Sequence, residues 1–205
     1  MITVQIVCYY TPDYIDEASR LVESLGLLGL SGHFELRESL GSWGQNVHIR
    51  APFLKSMRKL YPDKILLSLD ADCVVHYNCV PNLYLYDIAF HTLVRKNRSE
   101  KLPGTLYLNP TLSTDDFLDN WEKQNILHPQ SSDRVNFARA INESSLRICD
   151  LPPEFCWIFD ISREVYGNRT PIIEHLQASR SFRKPNSQKD ITRRQRISEI
   201  KNELS

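Results

Sequence analysis

Asp70 and Asp72 stand one residue apart at the end of an apolar run, Lys64-Ile65-Leu66-Leu67-Ser68-Leu69-Asp70-Ala71-Asp72. Alternation along a strand would put both carboxylates on one side, and clustered carboxylate oxygens are what a hard divalent cation selects. A cation held there could neutralise an anionic group such as a diphosphate, offsetting charge that grows on it as a bond breaks. Acidic pairs also cap helices or face solvent at the start of loops. Here the strand is apolar, a helix precedes it, and Cys73-Val74-Val75 follows rather than a turn.

The elements that must position this pair follow from hydrophobic spacing. Thr3 to Tyr10 reads as a buried strand. Thr11 then caps a helix that starts at Pro12 and carries Ile15, Ala18, Leu21, Val22 and Leu25 at helical spacing. His33 to Arg37 alternates as a second strand, and the glycines of Gly41-Ser42-Trp43-Gly44-Gln45-Asn46 predict a loop. Phe53, Leu54, Met57 and Leu60 predict a helix after Pro52, ended by Pro62, and the acidic strand comes next. Farther on, 86–91 and 104–109 read as strands, 115–123 and 133–141 as helices, and 171–175 as a short late strand ending in His175. Strands alternating with helices predict an α/β fold with a mixed, mainly parallel sheet flanked by helices. Ligands of such sheets gather beyond the carboxyl ends of the strands.

With 205 residues, of which 41% are hydrophobic, the chain can build one sizeable core. Lys+Arg and Asp+Glu are equal at 25 each, so overall charge makes no case for nucleic acid. The basic residues nevertheless gather from Arg180 onward, and residues 186–205 read as a basic appendage to a domain spanning 1–185. Within it, 192–204 predicts a polar helix in which Ile197 and Ile200 are too sparse for a core face. Cys8, Cys73, Cys79, Cys149 and Cys156 show no C-x-x-C spacing, which predicts buried free thiols rather than disulfides or a zinc site. The first residues lack a basic leader pattern and no apolar run approaches the roughly 20 residues of a membrane span, so a cytoplasmic location is expected.

The chain resembles the GT-A-type nucleotide-sugar glycosyltransferases. The resemblance is carried by Asp70-Ala71-Asp72 after its apolar strand, by the upstream Trp43, Asn46 and Lys55, and by Gly104-Thr105-Leu106-Tyr107-Leu108-Asn109. Trp121, Ser132-Asp133, Leu151-Pro152 and His175-Leu176-Gln177-Ala178-Ser179-Arg180 follow in the order those enzymes use. It implies a GT-A-like Rossmann-type fold and transfer of a sugar from a nucleoside-diphosphate donor, a uridine one expected, to a hydroxyl. It further implies a divalent cation, Mn²⁺ or Mg²⁺, with Asp72 as direct ligand, Asp70 as a ribose or water-mediated contact and His175 as a third ligand. Tyr9, Tyr10 and Thr11 would meet base and ribose, and Asn46 the donor or its ribose. Arg180, Lys184 and Lys55 would meet the diphosphate, with Arg50 in reserve. Asp133 would reach the transferred sugar or act on the acceptor hydroxyl, as general base if the enzyme inverts; Glu154 and Asp160 are weaker candidates for that work.

Two other readings compete. Leu69-Asp70-Ala71-Asp72-Cys73-Val74 also resembles the nucleophile strand of haloacid-dehalogenase-like phosphatases, which need a second acidic pair after a later apolar strand; no convincing pair follows, Asp115-Asp116 sitting in a polar helix start. The basic segment instead suggests a non-catalytic nucleotide or nucleic-acid binding module. Within the transferase reading it raises DNA, through a hydroxymethylated base, as the acceptor.

Overall fold

Val4–Tyr10 forms β1 and Ile65–Leu69 forms β3, paired side by side and parallel. Their side chains divide between two faces as a period of two requires. Ile6, Cys8 and Leu67 go to one apolar cluster, Val7 and Leu66 to the other. Between them the chain runs through a tight turn at Pro12–Tyr14, α1 (Ile15–Leu27), β2 (Gly32–Leu36), α2 (Trp43–Val47) and α3 (Arg50–Leu60). The computed structural model describes residues 3–78, 83–96 and 98–203, and Cys79 lies outside them.

After β3 come β4 (Cys73–Val75), β5 (Ile88–Arg95), β6 (Arg98–Leu108), α4 (Leu112–Leu127), α5 (Asp133–Asn142) and β7 (Ile148–Asp150). The last third adds β8 (Trp157–Ile158), α6 (Ile161–Tyr166), β9 (Ile173–His175), α7 (Ser179–Arg183) and α8 (Gln188–Glu203). Six strands make the main sheet in the order β2-β1-β3-β6-β5-β7. Only β6 runs against the other five, because it returns antiparallel from β5 and wedges in beside β3. Helix α1 covers one face with Ala18, Leu21 and Leu25. α3, α4 and α5 cover the other, where Phe117, Trp121 and Phe137 interlock with Trp121 and Phe137 ring centroids 4.8 Å apart. This is the mixed, mainly parallel α/β sheet flanked by helices that the hydrophobic pattern predicts. β4, β9 and β8 form a second, small sheet.

Two expectations change. The glycine-containing segment 41–46 is not all loop: Ser42 accepts a hydrogen bond from the Gln45 N–H and donates its hydroxyl to Gln45 Oε1, starting α2. That S-x-x-Q spacing is a helix-start signal that outweighs the glycines.

Helix α8 lies against the rest of the molecule. Ile200 is fully buried with Val74, Leu176 and the half-buried Ile197. Arg193 pairs with Glu17 of α1 and donates to the Leu176 carbonyl (2.9 Å) and Ser181 Oγ (3.0 Å). Arg196 forks onto Glu174 at 2.8 and 2.9 Å. Arg193→Ala is therefore expected to cost about 3 kcal/mol in urea unfolding, the low end for a broken buried pair because Arg20 still faces Glu17. Lys189→Ala, at an exposed position, should change stability by less than about 0.5 kcal/mol. Among the described residues no helix is long and apolar enough to cross a membrane.

Candidate functional site

The carboxyl ends of β1 and β3 open onto two cavities that share a wall. The smaller, about 150 Å³, is bounded by Tyr9, Tyr10, Thr11 and Tyr14 on one side and by Asp70 and Asp72 on the other. The larger, about 500 Å³, is bounded by Gly104, Asp133, His175 and Arg183. Trp43, Val47, Arg50, Asp70, Gln177 and Ser179 line both.

Asp70 and Asp72 are brought together by a turn, not by strand alternation. β3 ends at Leu69, and the Cys73 N–H donates back to the Asp70 carbonyl (3.1 Å), so the two carboxylates bracket a reversal between the two sheets. The loop after β9 secures Asp72: Leu176 N–H donates to its carbonyl (2.9 Å) and Ala178 N–H to Oδ2 (2.7 Å). Burial first, then the charge of Asp70, pushes the Asp72 carboxyl above the ordinary range. Asp70 is more open and takes Arg50 Nη2 on Oδ1 at 2.6 Å.

His175 ends β9, 2% exposed, with Thr105 Oγ1 2.8 Å from Nε2 and Cys73 Sγ 3.4 Å from Nδ1. Gly104 makes room for it. A Cβ there would stand 2.7 Å from His175 Cε1 and 2.8 Å from Asp70 Oδ2, closer than real contacts allow. The imidazole and the Asp70 carboxylate thus converge over one glycine. Asp72 and His175 bring ligand atoms within 4.8 Å of one another, and Asp70 lies across Gly104 from the imidazole; carboxylate oxygen and imidazole nitrogen are donors that a divalent cation accepts.

Asp133, the first residue of α5, is 3% exposed and faces the larger cavity. Its Oδ1 accepts from Asn125 at a long 3.4 Å, and Oδ2 has no hydrogen-bond partner among the described residues, with Arg50 Nε 3.8 Å away. Burial raises its pKa to about 6, even though Arg50 pulls the other way. Arg50 is buried between Asp70 and Asp133; burial disfavours its charge, but the two carboxylates more than offset that and hold it protonated.

Tyr9, Tyr10, Thr11 and Asn46 all line the smaller cavity. The Tyr9 hydroxyl donates to the Asn46 carbonyl (3.2 Å), while Asn46 Oδ1 accepts from Leu40 N–H (2.7 Å), so its side chain shapes the α2 entrance.

Three basic residues expected at the diphosphate lie elsewhere. Lys55 binds Asp119 (2.7 Å) and Glu122 (2.5 Å) on α4, away from both cavities. Five positions along α3 turn it about 140° from Arg50, which takes the cleft instead. Arg180 forks onto Asp160 at 2.7 and 3.0 Å over the Phe159 ring. Lys184, at the end of α7, is exposed and lines neither cavity. The cations at the cavities are Arg50, Arg134 and Arg183. Arg183 stands over Trp43, 5.4 Å from the ring centroid, and Arg134 is tied to Glu100. Asp115 is engaged by Arg58 (3.2 Å) and lines neither cavity, so the second acidic pair required by the phosphatase reading is not at this site.

No family model matches the sequence, and no curated protein sequence matches it. Solved structures do match by shape. A glycosyltransferase involved in the glycosylation of the major capsid of PBCV-1 superposes with a TM-score of 0.67 at 12% identity, over 88% of this chain and 98% of that one. The glycosyltransferase GlyE of Streptococcus pneumoniae TIGR4 superposes with a TM-score of 0.55 at 13% identity, over 84% of this chain and 55% of that one. Its apo form gives 0.50 at 12% identity, over 97% and 64%. The chain therefore has the fold of these glycosyltransferases while spanning less than two thirds of the length of GlyE.

Proposed function

We propose that this protein transfers a sugar from a nucleoside-diphosphate donor, of the uridine class, to a hydroxyl acceptor. The observation that carries the proposal is that Asp70 and Asp72, from the turn after β3, and His175, from the end of β9, line two adjoining cavities at the carboxyl ends of β1 and β3, with Asp70 on the wall common to both. The glycosyltransferase fold supports it.

Asp70, Asp72 and His175 would hold the cation, Mn²⁺ or Mg²⁺, whose charge offsets that of a departing diphosphate. The tyrosine wall of Tyr9, Tyr10 and Tyr14 offers flat surfaces to a base, with Thr11 and Asn46 beside the ribose. In the transfer, the bond from the sugar anomeric carbon to the diphosphate oxygen breaks with its electron pair passing to that oxygen, while the acceptor oxygen bonds the same carbon and gives up its hydroxyl proton to a carboxylate base, the role assigned to Asp133, or to the solvent. Arg50 brings positive charge to the junction of the cavities. Asp133 presents a carboxylate oxygen with no hydrogen-bond partner among the described residues, suited to a sugar or acceptor hydroxyl.

The basic C-terminal segment gives DNA little support as the acceptor: Arg180, Arg193, Arg194 and Arg196 each face a carboxylate of this chain. A panel of nucleotide sugars, scored for Mn²⁺-dependent hydrolysis and thermal stabilisation, tests the proposal. One donor should stand out, with the signal lost on chelation. Turnover of none, or turnover unaffected by chelation, rules the proposal out.

A further inference from the structure

A thiol belongs to the same cluster. The antiparallel register of β4 and β9 sets Cys73 directly opposite His175, and Sγ lies 3.4 Å from Nδ1 and 3.6 Å from Nε2. One ligand atom from each of Asp72, Cys73 and His175 lies within 4.8 Å of the other two. A tetrahedral ion bonded to sulfur at about 2.3 Å and to nitrogen at about 2.1 Å separates those two atoms by about 3.6 Å. Sulfur and imidazole therefore already stand at the spacing of two ligands on one ion.

The other side of the ring is arranged to match. A metal-bound imidazole ordinarily has its second nitrogen fixed by a hydrogen bond. Thr105 Oγ1 occupies Nε2 at 2.8 Å, with Cys156 Sγ behind it at 3.5 Å. With the ring proton on Nε2 given to Thr105, Nδ1 is left as the ligand. Nδ1 and Asp70 Oδ2 border the same space, since a Cβ at position 104 would stand 3.1 and 2.8 Å from them.

We propose that Asp72, Cys73 and His175 form a binding site for a thiophilic divalent cation of the Zn²⁺ or Cd²⁺ class, with Cys73 as a thiolate ligand. This deepens the transferase reading, on which it rests for the role of the pocket, by assigning a donor set softer than two carboxylates and an imidazole. As the sulfur–metal bond forms, the Cys73 proton leaves to solvent. Sulfur shifts preference from Mg²⁺ and Mn²⁺ toward Zn²⁺, so Zn²⁺ would compete for Asp72 and His175 with the hard ion that supports transfer.

The test needs no donor and no turnover. The reduced, metal-free full chain is titrated with Cd²⁺ while the ultraviolet thiolate-to-cadmium charge-transfer band is followed. A band saturating at one equivalent, lost in Cys73→Ser and kept in Cys149→Ser, is the expected result. Absence of the band, or an equal band in Cys73→Ser, overturns the proposal. Should that variant fail to fold, cadmium NMR of the unmodified protein decides. A resonance moved downfield by a single sulfur supports the site, and one at an all-oxygen or oxygen–nitrogen position overturns it. Mn²⁺-dependent turnover without a sulfur signal would end this inference and leave the transferase reading standing; a sulfur signal without turnover of any donor would do the reverse.

Discussion

Asp72→Asn is expected to lower metal-dependent turnover of the preferred nucleotide sugar about a thousandfold, because a neutral amide is a far poorer ligand and offers no charge against the cation. The fold should survive. The amide oxygen of that variant can still accept the Ala178 N–H that Asp72 Oδ2 accepts at 2.7 Å. Asp72→Ala removes that acceptor and should cost a further ~1–3 kcal/mol, since a buried N–H is left unpaired. Comparing the two separates chemistry from stability. Turnover and metal-induced thermal stabilisation should vanish in both variants, with the unfolding midpoint depressed only in the alanine. Activity of Asp72→Asn within tenfold of wild type would remove Asp72 from the site.

Asp133→Asn is expected to move activity and stability in opposite directions. The Asp133 carboxyl titrates near 6 in the folded protein against an ordinary 3.8, chiefly because it is buried. Folding then favours the protonated form. The stability this group contributes is fully present below about pH 4 and is lost as pH rises through 6. A shift of about two units corresponds to about 3 kcal/mol at neutrality. The asparagine variant should thus unfold at higher urea than wild type at pH 7.5, and the gap should close toward pH 4. Turnover should run the other way: wild type gains activity as pH passes 6 and Asp133 ionises, whereas the variant is slow throughout, by about 10² to 10⁴-fold if the carboxylate moves a proton. A variant no more stable at pH 7.5 than at pH 4, relative to wild type, would show that Asp133 is not a strained buried acid.

Much of the scaffold was legible because it rests on local pattern. The run from Thr3 to Tyr10 is apolar enough to be a central strand. Ala18, Leu21 and Leu25 mark the buried stripe of α1, and the late strand ending in His175 falls where its residues alternate into the small sheet. What escaped was long-range. Lys55 and Arg50 share one helix, and only the position of α4 shows that Lys55 is taken by Asp119 and Glu122. Arg180 has the charge for a diphosphate, yet Asp160 claims it. Of the partners of α8, Glu17 lies 176 positions before Arg193 and Glu174 lies on a strand of the small sheet, neither signalled by local pattern, so its arginines read as a solvated basic face and Ile200 as incidental. Cys73 read as one more buried thiol because its neighbour, His175, is 102 positions away across a strand pair.

The link from Glu17 to Arg193 bears on how the molecule is made. A polypeptide leaving the ribosome exposes its first helix long before the arginine that completes it has been translated. Arg193 and Arg196 fasten from behind the stretch from Glu174 to Ser181, which carries the imidazole and one rim of the cleft. The contacts that back the segment carrying His175 therefore join one of the earliest helices of the chain to one of its latest.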